Sequence, residues 1–365
     1  MSLRNPSRRR WLTATASALL TSSFGGPASA RTSVRAKTLR RWRTGNQLLA
    51  PPAATVDRVL CAGDESLALF DIDASRPNWQ VAHELPGGVV FRPRIGGNVA
   101  VCGGEEALGA WQLSTGNVLW HHAAKQQTGV PCLHDGRVFV GDGHELICLD
   151  LKTGCEHWRF AAVPDTLISY APVGIDDTIY VGPGDGRLYA LDASDGHLRW
   201  TQNHIDEWQY LRQLHVAGNV LIAGSYREVL YGVDRAGGGV LWRFKAGNFI
   251  NSQHVAGGVA YLWSPTGWLY AIDTHDGKVR WRHRTTDYLG HAHNWASVLA
   301  ELVVVQNRLY VLDLDNVLHV LDTADGREIL DLRLPEPVRP FVLPLAGNRL
   351  LFGTQTGELI QVAPT

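Results

Sequence analysis

The side chains best suited to binding chemistry fall in short polar segments just ahead of Val- and Ile-rich runs. They are Arg92 and Arg94, Tyr170, Tyr210 and Arg212, Asn251 and Gln253, the run His293, Asn294 and Trp295, and Arg339. Several corresponding segments elsewhere in the chain carry Pro and Ala instead. Brought together, such residues would suit an anionic ligand or a carboxylate-bearing peptide, because a guanidinium pairs a carboxylate through two parallel hydrogen bonds. His291 and His293 alternate, so on a strand both rings share one face, as a metal site needs. Only Asp287 stands near them, and a polar loop is the expectation there. Asp313-Leu314-Asp315-Asn316 lacks the Gly and distal Glu of a calcium loop. No nucleophile elbow, zinc-protease helix or phosphate cradle occurs, so no catalytic set and no metal are expected.

The five cysteines are Cys61, Cys102, Cys132, Cys148 and Cys155, none of them adjacent. Cys61 and Cys102 occupy the same place in neighbouring copies of a repeat and read as small buried apolar residues. Cys148 reads as core. Cys155 lies in a turn and is the expected exposed thiol. The spacing assigns no disulfide.

What must position these residues is a repeat of about 40 residues. Asp185-Gly-Arg-Leu-Tyr-Ala-Leu-Asp-Ala-Ser-Asp-Gly-His-Leu-Arg-Trp200 is echoed by Thr266-Gly-Trp-Leu-Tyr-Ala-Ile-Asp-Thr-His-Asp-Gly-Lys-Val-Arg-Trp281. The closing Trp recurs at Trp42, Trp79, Trp120, Trp158, Trp200, Trp242 and Trp281, and Leu330 takes its place in the next copy. An Asp stands eight residues earlier in most copies, to accept amides of the following turn. A Gly stands four earlier in six copies, with Ser75 in its place once, for the positive φ of a two-residue hairpin. Runs of four to six residues between such turns are short strands. The indole fills the gap between neighbouring sheets, and its N–H needs a partner there.

Four strands per repeat mean a β-propeller. Seven copies close, and an eighth begins at Arg349 and stops at Thr365 without its last strand. The segment Leu39-Arg-Arg-Trp42-Arg-Thr44 should supply that strand. The expected fold is therefore all-β: eight four-stranded antiparallel blades, the N-terminal strand completing the last. The strand that opens each blade should run nearest the axis, so the polar segments above should converge on a central funnel. The longest interval, 281 to 330, holds the His-rich insertion, and insertions in repeat arrays map to loops.

The strand-Gly-turn, Leu-Tyr-Ala-Leu-Asp-Ala and turn-Gly-Trp pattern resembles the pyrroloquinoline-quinone (PQQ) repeat family over residues 39–365. The resemblance implies one of two roles. One is that of the quinoprotein dehydrogenases, which hold PQQ and Ca²⁺ in the funnel. The other is that of non-catalytic eight-bladed propellers of the BamB type, which dock protein partners at the outer membrane. The enzyme group is marked by adjacent cysteines, a calcium-ligating acid and a catalytic Asp. Adjacent cysteines are absent here, as is a haem-attachment Cys-x-x-Cys-His, and the other marks are not found. The expectation is thus a binding or scaffold propeller without a cofactor, with a PQQ/Ca²⁺-dependent dehydrogenase as the alternative.

Residues 1–30 read as a twin-arginine-type export signal. Ser7-Arg8-Arg9-Arg10-Trp11-Leu12 is followed by a modest apolar stretch to Phe24 and the small-x-small site Ala28-Ser29-Ala30. Residues 31–38 read as a linker. The expected location is the periplasm or the exterior. The whole chain of 365 residues carries a formal charge of −1. Without the four Arg of residues 1–30 it holds 30 basic against 35 acidic residues, a net −5. That balance argues against nucleic acid as a partner. No later window offers the ~20 apolar residues of a membrane span. The expected partner is a protein or a small anionic ligand, and the expected state a monomer.

Overall fold

The computed structural model describes residues 33–44, 50–162, 166–184, 186–203, 212–224, 228–247, 252–264, 266–284, 302–313, 316–339 and 341–364. All of them belong to one unit, Thr32–Thr365. Its secondary structure is strand throughout the described residues, arranged as eight four-stranded antiparallel blades. Blades 1 to 7 span 53–82, 94–123, 132–161, 173–203, 212–245, 252–284 and 303–333. Within each, chain order is also spatial order from the innermost strand outward. Blade 3 is typical, with Cys132–His134 innermost, then Arg137–Asp142, Glu145–Asp150 and Glu156–Ala161.

The two middle strands of a blade are covered on both faces by the flanking blades. This is why they read as continuous apolar runs rather than as an alternation. Val99–Gly103 is buried at every residue, whereas the outermost strand Val118–Ala123 is mostly exposed.

Blade 8 pairs Leu343–Leu345, Arg349–Gly353 and Glu358–Pro364 with the N-terminal strand Ser33–Arg43. Trp42 lies opposite Leu359 and Arg41 opposite Ile360. Arg41 also forms ion pairs with Glu336 and Glu358, the latter at 2.5 Å. The strand is longer than Leu39–Thr44. It begins at Ser33, within the stretch expected as linker, and Ser33–Arg35 pair in parallel with Asp331–Arg333 on the outer edge of blade 7.

In blades 3 to 7 the repeat Asp and Gly act together in the turn before the outermost strand, whereas Ser75 replaces the Gly in blade 1 and Gln112 the Asp in blade 2. In blade 3, Asp150 Oδ1 accepts the amides of Lys152 at 3.0 Å and Thr153 at 2.8 Å, and the Gly154 amide donates to the Asp150 carbonyl at 2.9 Å. This turn is a five-residue loop, 151–155, and not the two-residue hairpin expected from the Gly. The reason is its reach: the loop extends onto the preceding blade, where Gly154 lies against the Trp120 ring and a Cβ would sit 2.6 Å from Cγ. The two-residue turn occurs instead between the first and second strands. There Asp135 and Gly136 have φ of 45° and 70°, the mirror-image turn a twisted hairpin favours.

Each repeat Trp spans a joint between blades. The indole N–H of Trp120 donates to the Leu151 carbonyl at 3.0 Å, that of Trp158 to Ala193 at 3.1 Å, and that of Trp281 to Thr323 at 2.9 Å. Trp79, Trp200 and Trp242 do the same toward Leu113, Arg235 and Thr274.

Candidate functional site: the axial channel

The innermost strands of blades 2 to 8 touch one another in turn and so form the wall of an axial channel. Strand register identifies the residues that stand level around it. The third residue of every second strand pairs with Ala53, Arg94, Cys132, Val173, His215, His254, Val303 or Leu343, one per blade. Four of these eight are polar, and they come as two neighbouring pairs, Arg94 with Cys132 and His215 with His254.

Arg94 Nε donates to the Pro131 carbonyl at 3.2 Å, which ties blade 2 to the approach to blade 3. Burial pushes the Cys132 thiol up, against the opposing pull of the Gly174 backbone and the Arg94 charge. The His215 and His254 rings meet edge to face with centroids 6.4 Å apart. Burial, then repulsion from His254, brings His215 down to about 4, and burial lowers His254 as well. Both imidazoles are therefore neutral at pH 7, and the fixed positive charge at this level is the Arg94 guanidinium.

Because strands alternate in direction, every connection from an outermost strand to the next innermost one leaves from the same rim. Arg92 and Tyr170 lie half-buried in two of these connections. Arg339 lies in the one leading to blade 8, where its amide donates to the Gly353 carbonyl at 2.7 Å. Its Nε is buried and has no hydrogen-bond partner among the described residues. Arg94 and Arg212 open innermost strands, and Gln253 is buried within a third. Of Arg212 the backbone position is described, opposite Gly224. Tyr210, Asn251, His293, Asn294 and Trp295 lie outside the described residues. The structure thus brings Arg92, Arg94, Tyr170, Arg212, Gln253 and Arg339 to the inner strands and the connections that lead into them.

Cys132 and His215 were not among the candidates, and His254 follows directly on the candidate Gln253. The signal that finds them is register, counted back from the third residue of each second strand by seven residues in blades 1 to 7 and by eight in blade 8. Composition does not show it.

The ring level offers nitrogen and sulfur donors and no carboxylate, whereas Ca²⁺ takes oxygen ligands. The residues described there do not fit the calcium–quinone pair of the dehydrogenases. Among the described residues no three His, Cys, Asp or Glu are grouped to hold a metal.

A family model described as outer membrane protein assembly factor BamB matches residues 104–214 and 207–337. The outer membrane protein assembly factor BamB of Marinobacter adhaerens is 31% identical over 115 residues, 31% of this chain and 28% of that protein. Its counterpart from Bordetella pertussis is 27% identical over 174 residues, 46% of this chain and 44% of that protein. The chain thus matches less than half the length of either relative. The crystal structure of BamB from Moraxella catarrhalis superposes with a TM-score of 0.71 at 20% identity, covering 90% of this chain and 99% of that one, a likeness of fold. The family match extends over more than half of the sequence, and the chain belongs to the PQQ-repeat family described as outer membrane protein assembly factor BamB.

Proposed function

We propose that this propeller is a non-catalytic binding scaffold of the cell envelope, which takes part in outer membrane protein assembly by docking a protein partner at the channel mouth. Family membership supports the class of function. The observation that carries the choice of face is that Arg92, Tyr170 and Arg339 lie half-buried in connections leading to inner strands, all of which leave from one rim. With Arg92 and Arg94 at the start of blade 2 and Arg339 on the approach to blade 8, guanidinium groups stand at the same rim, and the mouth favours a carboxylate-bearing segment of a partner or a small anion. Export through the twin-arginine-type signal of residues 1–30 would deliver the chain to the periplasm already folded. That suits a ring whose first strand completes its last blade.

Site-specific photo-crosslinking in the native envelope tests this reading. A photoreactive residue at position 170 should give a discrete adduct that Arg339→Ala and Arg92→Ala both weaken. The same probe at position 278, in a turn at the opposite end of the strands, should give none. Equal adducts from both positions would sink the assignment of the face. PQQ-dependent dye reduction by the purified chain with Ca²⁺ would overturn the non-catalytic reading.

A further inference from the structure

Seven of the eight joints between blades are filled by an indole, and the eighth is not. Between blades 7 and 8 the repeat position is Leu330, which is only half-buried. A cavity of about 570 Å³ lies there, walled by Tyr310, Val320, Leu330 and Leu350 and bordered by Arg308 and Asn348. Its size falls within the range of ~300–1,000 Å³ typical of small-molecule sites.

The cavity follows from how the ring closes. In blades 1 to 7 a turn joins the third and fourth strands and receives the Trp of the preceding blade. Blade 8 takes its fourth strand from the N-terminus and has no such turn. Two further groups lose their partners with it. In blade 7 the Thr323 amide of that turn donates to the Asn307 carbonyl at 3.0 Å, and in blade 4 the Ala193 amide donates to Asp177 at 2.8 Å. The equivalent carbonyl in blade 8 is that of Asn348, and no turn amide reaches it. Likewise Arg137 of blade 3 donates to the Ala193 carbonyl in the next blade at 2.6 Å. Arg308 occupies the same position in blade 7, the first residue of the second strand, and its guanidinium forms no ion pair or hydrogen bond among the described residues, although its backbone pairs in the sheet.

We propose that this cavity binds a free aromatic carboxylate of the indole class. The planar ring takes the place that Trp holds at the other joints, between Leu330 and Leu350. A ring or amide N–H meets the Asn348 carbonyl, and the carboxylate meets the Arg308 guanidinium. The other seven joints supply the argument for this occupant: in each, the same framework closes on an indole whose N–H meets a backbone carbonyl. The site lies away from the channel mouth and does not depend on the docking role.

The test uses the purified full chain, titrated with N-acetyl-tryptophan and, in parallel, with neutral N-acetyl-tryptophanamide, followed by ligand-observed NMR and thermal shift. The acid should saturate and raise the melting temperature, and the amide should bind at least about tenfold more weakly. Leu330→Trp fills the cavity from within, so it should melt higher than the parent and lose the acid. Arg308→Gln, at a partly solvent-facing position, should bring acid and amide to equal affinity. Equal binding of both ligands by the parent chain would assign the cavity to neutral aromatic groups and overturn the proposal. So would undiminished binding of the acid to Leu330→Trp, or no saturation by about 10 mM. If Leu330→Trp fails to fold, the Arg308→Gln comparison decides alone.

Discussion

The indole N–H of Trp42 donates to the carbonyl of Ala74 at 2.8 Å, across the joint between the last blade and the first. Trp42 comes from the N-terminal strand and Ala74 from a turn of blade 1, so this bond and the indole's packing on Phe70 hold the ring closed. Trp42 is 1% exposed. Trp42→Ala removes a fully buried indole and leaves an unpaired carbonyl, and should cost about 3–5 kcal/mol. Trp42→Phe keeps most of the volume and should cost clearly less. Urea unfolding of the two variants checks this. A loss below ~1 kcal/mol for Trp42→Ala would mean that the ring does not depend on this joint.

Gly326 is held by two independent constraints. Its φ is 72°, and a Cβ there would sit 2.4 Å from the Trp281 ring. Gly326→Ala therefore adds left-handed strain to a steric collision and should cost about 2–4 kcal/mol in all. Gly136 has a similar φ of 70° with nothing within 4 Å of the added carbon. Gly136→Ala should show the backbone penalty alone, about 1–2 kcal/mol. The difference between the two midpoints measures the Trp contact, and equal losses would contradict this division.

Blade number and joint were legible because one packing problem is solved repeatedly. Six of the seven Trp lie against a Gly of the next blade, Ser75 standing at that place in the turn that receives Trp42, and every one has a carbonyl for its N–H, so the set recurs at nearly fixed spacing. The channel was less legible. Which residue stands at its waist depends on the length of the turn after the innermost strand and on local irregularities such as the register shift between Arg212 and His215. His215 carries no mark of its own in the sequence. The cavity was half-visible: Leu330 announces a missing Trp. The loss of partners for Arg308 and Asn348 follows only once the N-terminal strand is seen to replace a turn.

The thiols should react in an order set by burial. Cys61 and Cys102 are buried, and desolvation pushes both thiols far above the ordinary range. Cys148 is pushed up to about 11, by burial first. Cys155 is exposed in the turn ahead of the outermost strand of blade 3. Since the thiolate is the nucleophile, a maleimide at pH 7 should label Cys155 within minutes and spare Cys61 and Cys102 until the chain unfolds. Peptide mapping after timed quenching reads the order. Early labelling of Cys61 would contradict the buried second strand of blade 1.

Two histidines should bend the stability curve in opposite directions. His215 titrates near 4 in the folded chain against 6.5 ordinarily, so the unfolded chain binds the proton first. Its contribution is complete above pH 6.5 and is lost as pH falls toward 4, on the order of 3 kcal/mol. His319 is the reverse. Burial opposes its charge, but hydrogen bonds to Asp313 at 3.1 Å and Glu328 at 2.6 Å outweigh it and raise the ring to about 9. That contribution is complete below pH 6.5 and is lost as pH rises through 9. Urea midpoints from pH 4 to 9 should therefore fall at both ends. His215→Phe should flatten the acid limb and leave the alkaline one, and His319→Gln should do the opposite, although its removal of a buried cation between two carboxylates lowers stability near neutrality as well. A His215→Phe chain that loses stability between pH 6.5 and 4 as steeply as the parent would show that the channel pair is solvated and freely protonated.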